Sequence, residues 1–174
     1  MDTSIKNITS SKEIEKKMVN PELGLDRSAC RVVADEIESL LADSYMLMVK
    51  TQNYHWNVIG NAFVTVHNFT ENQYNDLFKA VDIIAERVRI LGFKVKGTIN
   101  DFIIKSTVGT PSNELSLTEM IADLLGSHQL LIKTCRKVIK TAAEYSDEGT
   151  VDLATERLQY HEKTAWLLRS CLEK

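Results

Sequence analysis

Apolar positions recur at helical spacing along most of the chain. Val33, Ile37, Leu40, Leu41, Leu47 and Met48 follow a three-to-four-residue rhythm, with Asp26 placed to cap a first helix that runs to about Val58. After Gly60 the rhythm resumes, and Tyr74, Leu77, Val81, Ile84, Val88 and Leu91 trace the core stripe of a second helix ending near Leu91. It then lapses between Gly92 and Leu115, except for Ile99 to Ile104, a stretch suited to one or two helical turns. Ser116-Leu117-Thr118-Glu119 reads as a capping box, in which serine and glutamate satisfy each other's backbone donors, and it opens a third long helix reaching about Tyr145. Asp147 is placed to cap a fourth, whose apolar positions are Leu153, Leu158, Trp166, Leu167, Leu168 and Leu172.

Composition strengthens this reading. The 174 residues include seven glycines and two prolines, where average usage would supply about 21 such breakers. An all-β sandwich or barrel needs turn residues far more often, so the chain is expected to be all-α. The segment between the second and third long helices, about 24 residues, is too long for a tight turn. An up-down-up-down bundle would join every pair of helices with a short loop. A long crossover carrying a short helix instead suits a ferritin-like four-helix bundle. The bundle domain is expected over residues 23–174, behind a flexible tail at residues 1–22.

Charge and cysteine content narrow the function classes. A net charge of −3 and a pI near 5.8 argue against a globally basic nucleic-acid binder. No apolar run approaches membrane-spanning length, and Met1 to Ser10 lacks the apolar stretch of a secretory signal, so a cytoplasmic location is expected. Cys30, Cys135 and Cys171 show no CxxC spacing and read as free thiols.

The second helix also carries a polar stripe. His67 and Glu71 are four residues apart, as are Asp82 and Glu86, and the eleven steps from Glu71 to Asp82 return to within about 20° of the starting direction. A solvated helix face is one reading. The other is metal binding, because imidazole mixed with several carboxylates suits ferrous iron, zinc or manganese. Asp82 and Glu86 also repel one another unless a cation lies between them, although Lys79 and Arg89 soften that repulsion. If the stripe binds metal, one helix cannot close the site. His67 and Asp82 lie about 22 Å apart along the axis, whereas ligand bonds are about 2 Å long. The two halves must then come from different chains, with a twofold pairing bringing the histidine end of one helix to the acidic end of its mate. His55, twelve residues before His67 and across the Gly60 corner, is positioned to fold back toward the same end. The Glu-x-x-His motif of intrachain ferritin sites is absent, His161-Glu162 is not followed by the second histidine of HExxH, and His128 and His161 read as ordinary helix residues.

The stretch Lys50-Thr51-Gln52-Asn53-Tyr54-His55-Trp56-Asn57-Val58-Ile59-Gly60 resembles the signature of the Dps family, dodecameric mini-ferritins that protect DNA in starved bacteria. The likeness continues through Phe63, His67, Glu71 and Asp82-Ile83-Ile84-Ala85-Glu86-Arg87. It resumes from His161 to Ser170, so that it covers about residues 25–172. It implies a hollow shell of twelve chains with iron sites at twofold interfaces. His55, His67 and Glu71 would come from one subunit, and Asp82 and Glu86 from its mate. Position 71 is Asp in some members and Glu here, which keeps the charge and lengthens the reach.

The resemblance also implies a ferroxidase that oxidises Fe(II), with hydrogen peroxide as the preferred oxidant over dioxygen, and stores the product as ferric mineral. Trp56 beside the site reads either as a sink for stray oxidising equivalents or as an apolar wedge between subunits. Asp147, Glu148 and Asp152 match the acidic start of the family's last helix, where threefold pores admit iron; ordinary acids complementing a helix dipole are the alternative. A second function, non-specific DNA compaction with nucleoid association, would rest on Lys6, Lys12, Lys16 and Lys17. Against Asp2, Glu13 and Glu15 these leave residues 1–20 a side-chain charge of only 4 − 3 = +1. A shell that buffers another divalent metal without redox turnover is a third possibility.

Overall fold

Local end signals fix the helices. In the computed structural model, which describes residues 21–173, α1 spans Arg27–Asn57, α2 Phe63–Ile90, α3 Ile99–Lys105, α4 Leu117–Glu144 and α5 Glu148–Leu172. There is no strand among the described residues. The Asp26 carboxylate accepts from the Ser28 N–H at 2.7 Å, and the Asp147 carboxylate from the Thr150 N–H at 3.0 Å. Glu119 accepts from the Ser116 N–H at 2.8 Å, so the expected capping box forms. Each such cap contributes about 1 kcal/mol by satisfying donors that the first helical turn leaves free. The short helix α3 opens on a box of the same kind, Thr98 with Asp101, that the sequence reading did not single out.

Paired contacts give the direction of each helix. Next to α1, α2 is antiparallel: His55 meets His67 at one end, while Arg27 donates to the Leu91 carbonyl at 3.1 Å at the other. Against α4, α1 is antiparallel as well, since Tyr54 reaches Asp123 and Asp43 reaches Thr134. Helices α2 and α4 therefore point the same way. The segment between them must climb back along the bundle, about 42 Å for the 28 residues of α2. This requirement is the physical origin of the long crossover.

The crossover is held by buried acids on α1. Asp43, 1% exposed, accepts from the Thr107 N–H at 2.6 Å, the Ser106 hydroxyl at 3.0 Å and the Thr134 hydroxyl at 2.7 Å. Glu38 lies between Lys96 and Lys105, and Phe102 of α3 stacks on Tyr45 with ring centroids 4.3 Å apart. Beneath these contacts the core is filled by fully buried Ile37, Leu40, Leu47, Leu77, Ile84, Leu131 and Leu168. Trp166 departs from the apolar pattern of its helix: it is 54% exposed and faces outward from α5.

Candidate metal centre

The corner between α1 and α2 brings His55 and His67 together. Val58 ends α1 in extended backbone, and Gly60 turns the chain with φ +108°, in the left-handed region that glycine enters without penalty. The turn lays His55, the last buried residue of α1, against the first turns of α2. The imidazoles of His55 and His67 stack with centroids 3.8 Å apart. Each then uses the other's backbone: His55 Nδ1 lies 2.9 Å from the His67 carbonyl oxygen, and His67 Nδ1 lies 2.9 Å from the His55 carbonyl oxygen. A carbonyl oxygen only accepts, so both Nδ1 atoms carry hydrogen. In the neutral ring each Nε2 is then the bare lone pair, the form in which histidine binds a metal.

Aromatic rings and one hydroxyl hold this pair. Phe63 stacks on His67 at 5.0 Å, Tyr74 meets His55 edge to face at 5.2 Å, and the buried Thr70 hydroxyl lies 3.4 Å from His55 Nδ1. Neither Thr70 nor a role for Tyr74 beside a histidine was legible in the sequence, where Tyr74 reads simply as core. Glu71 follows one helical turn after His67 and is exposed.

The acidic half stands elsewhere on α2. Asp82 and Glu86 are both exposed, and Asp82 lines an open groove with Tyr45, Met48, Phe78, Val81 and Ile83. An unbroken helix separates the halves, and among the described residues no group of three or more His, Cys, Asp or Glu side chains comes together within one chain in a form that could hold a metal ion. The structure thus joins His55 to His67 and leaves Asp82 and Glu86 apart from them. Large apolar side chains stand exposed around both halves: Trp56 at 68%, Phe78 at 67% and Ile83 at 56%.

The three acids at the start of α5 divide. Asp147 is 2% exposed, ion-paired with Arg87 of α2 and engaged with the Thr150 N–H and hydroxyl, so its carboxylate ties two helices together. Glu148 and Asp152 are exposed. Lys6, Lys12, Lys16 and Lys17 lie outside the described residues. His128 and His161 are helix residues, as expected, but they meet in the core. Their Nδ1 atoms are 3.0 Å apart, and His128 Nε2 lies 2.9 Å from the Gln73 side-chain oxygen. That oxygen takes the His128 Nε2 hydrogen, so His161 Nδ1 donates to His128 Nδ1. Burial, with Arg157 nearby, holds His128 down to about 3 and His161 well below the usual histidine range.

Comparison with known proteins matches residues 34–174 to the ferritin-like domain family. An uncharacterized low temperature-induced protein of Nostoc sp. is 38% identical over 153 residues, covering 87% of this chain and 86% of that protein. DNA protection during starvation protein 2 of Bacillus anthracis is 28% identical over 142 residues, covering 82% of this chain and 97% of that protein. Among solved structures, the Dps protein of Vibrio cholerae O1, described as a member of a broad superfamily of ferritin-like diiron-carboxylate proteins, superposes with a TM-score of 0.85. It has 26% identity over 90% of this chain and 98% of the other.

Proposed function

The chain belongs to the Dps family of ferritin-like proteins, and from that premise we propose that it oxidises Fe(II) at a site shared between two subunits and stores the ferric product. The observation that carries the proposal is the reciprocal histidine lock, which engages both Nδ1 atoms and leaves both Nε2 atoms free of it, with Glu71 one helical turn after His67 and the remaining acids of the stripe about 22 Å along the same helix. A twofold axis crossing α2 near its middle would bring His55, His67 and Glu71 of one subunit to Asp82 and Glu86 of the next. The exposed Trp56, Phe78 and Ile83 supply apolar surface for that pairing. Trp56 would then be a contact between subunits. A dodecamer built from six such dimers, in the cytoplasm, is the assembly we infer.

Iron is substrate and cargo in this reading. Carboxylates stabilise Fe(III) more than Fe(II), because the harder and more highly charged ion gains more from anionic oxygen, so the acids favour loss of an electron. Two irons side by side would deliver two electrons to one hydrogen peroxide. The hydroxyl radical released by one-electron reduction is thereby avoided, and DNA is spared along with other targets. Glu148 and Asp152 would draw Fe(II) toward an entry pore, with Asp147 fixing the helix end behind them. The bundle domain would span residues 23–174.

The test is an anaerobic Fe(II) load followed by peroxide titration. Ferric absorbance should saturate at two irons per peroxide, and replacing both His67 and Asp82 by alanine should abolish the fast phase without changing the assembled mass. Unaltered fast oxidation in that variant would refute the site.

A further inference from the structure

The Thr70 hydroxyl lies where the histidine lock closes, and the sequence gives no reason for its presence. Thr70 is 0% exposed, on the inward face of α2 with Val66, Gln73 and Leu77. An aliphatic residue there would bury more apolar surface and suit the helix interior better. A threonine hydroxyl bonded back to the preceding turn does little for a helix and often bends it. Yet Thr70 Oγ1 is 2.8 Å from the Val66 carbonyl oxygen, 3.0 Å from the His67 carbonyl oxygen and 3.4 Å from His55 Nδ1.

We propose that Thr70 is a positioning residue that holds the His55 ring with Nε2, not Nδ1, as its free donor. The inference rests on the reading of His55 and His67 as metal ligands. A hydroxyl has one hydrogen, and the shortest contact gives it to the Val66 carbonyl. An Oγ1 lone pair then faces His55 Nδ1, whose hydrogen has two acceptors, the His67 carbonyl at 2.9 Å and Thr70 at 3.4 Å. In the other tautomer a bare Nδ1 would face that carbonyl oxygen, lone pair against lone pair. The hydroxyl could offer that bare Nδ1 a hydrogen only by leaving Val66. Thr70 therefore favours one tautomer and one ring orientation together. Among the described residues no hydroxyl bonds His67 Nδ1, which relies on the His55 carbonyl, while its ring relies on Phe63.

The distinguishing experiment uses Co(II), whose visible ligand-field bands report the geometry of the bound ion. The full-length protein is titrated anaerobically as wild type, Thr70→Val, Thr70→Ser and His67→Ala. Thr70→Val keeps the shape and removes the hydroxyl. It should weaken Co(II) binding about tenfold and shift the bands, as loss of an outer-sphere partner does at other metal sites. Thr70→Ser should stay within about twofold of wild type with unshifted bands. Thr70→Ala, which also lacks the hydroxyl and suits a helix better than valine, should repeat the valine result, and wild-type behaviour in it would overturn the role of Thr70. In Fe(II) oxidation the valine variant should raise KM more than it lowers kcat. Wild-type affinity and spectrum in Thr70→Val would overturn the role of Thr70, as would a serine variant as impaired as valine. Wild-type protein that binds no more Co(II) than His67→Ala would overturn the metal centre itself, and the role of Thr70 with it.

Discussion

The two histidine pairs show how far neighbouring groups decide what a residue does. His55 and His67 each donate from Nδ1 to a carbonyl and keep Nε2 out of that exchange. His161 donates to His128 and His128 to Gln73, so this pair spends its polarity inside the core. That second pair has an acid liability whose sign follows from burial. The ordinary value is 6.5, and both folded-state values lie below it, with His128 near 3. Below pH 6.5 the unfolded chain takes up protons that the native core refuses, so stability falls with pH from about 6.5 toward 3, by about 1.4 kcal/mol per pH unit for each histidine. The groups nearest the pair, Arg157, Tyr160 and Gln73, offer no carboxylate contact to an imidazolium; Asp76 is engaged by Arg157. Urea midpoints between pH 7 and 4.5 should decline more steeply for wild type than for His128→Leu/His161→Leu, whatever the absolute stability of the variant. Equal slopes would contradict the assignment.

At the scale of elements, legibility tracked the distance over which a signal acts. Asp26, Ser116 with Glu119, and Asp147 mark helix starts because a cap is satisfied within three residues, and all three were readable. The core stripe of α2 was readable for the same reason. The mutual bonds of His55 and His67 were not, because they depend on how Val58 and Gly60 set the angle between two helices. The meeting of His128 with His161, 33 residues apart, needed the packing of α4 on α5. Asp147 looked like one acid among three until Arg87, 60 residues away, was seen to claim it. The far end of α2 carries a comparable hidden constraint. Gly92 closes the helix at φ +88°, and an added Cβ would fall on the Arg27 guanidinium and 2.7 Å from the Pro21 ring. That guanidinium holds the Leu91 and Gly92 carbonyls. Gly92→Ala should therefore cost more than backbone strain alone, about 2 kcal/mol in chemical denaturation. A change under about 0.5 kcal/mol would mean that Arg27 moves aside freely.

The whole molecule has to be larger than the chain if the polar stripe binds iron, and this can be decided without solving a complex. Suppose one variant lacks the histidine half through His67→Ala, and another lacks the acidic half through Asp82→Ala/Glu86→Ala. Each alone should be slow in Fe(II) oxidation under either geometry, so single variants cannot separate a site within one chain from one between chains. Co-expression can. In a mixed twofold dimer, one site combines both defects, while the other joins the intact histidines of one subunit to the intact acids of its mate. Random pairing makes half the dimers mixed, and half the sites in those are whole, so about one quarter of the wild-type fast phase should return. Within a single chain no combination restores a site, and the rate would stay at the level of the parents. Light scattering on the same samples should give about twelve times 19.7 kDa, near 236 kDa, so that recovered activity can be attributed to pairing within a normal assembly. The α2 helix makes the result unambiguous: with no break between Phe63 and Ile90, it cannot fold its own acidic end back onto its histidines.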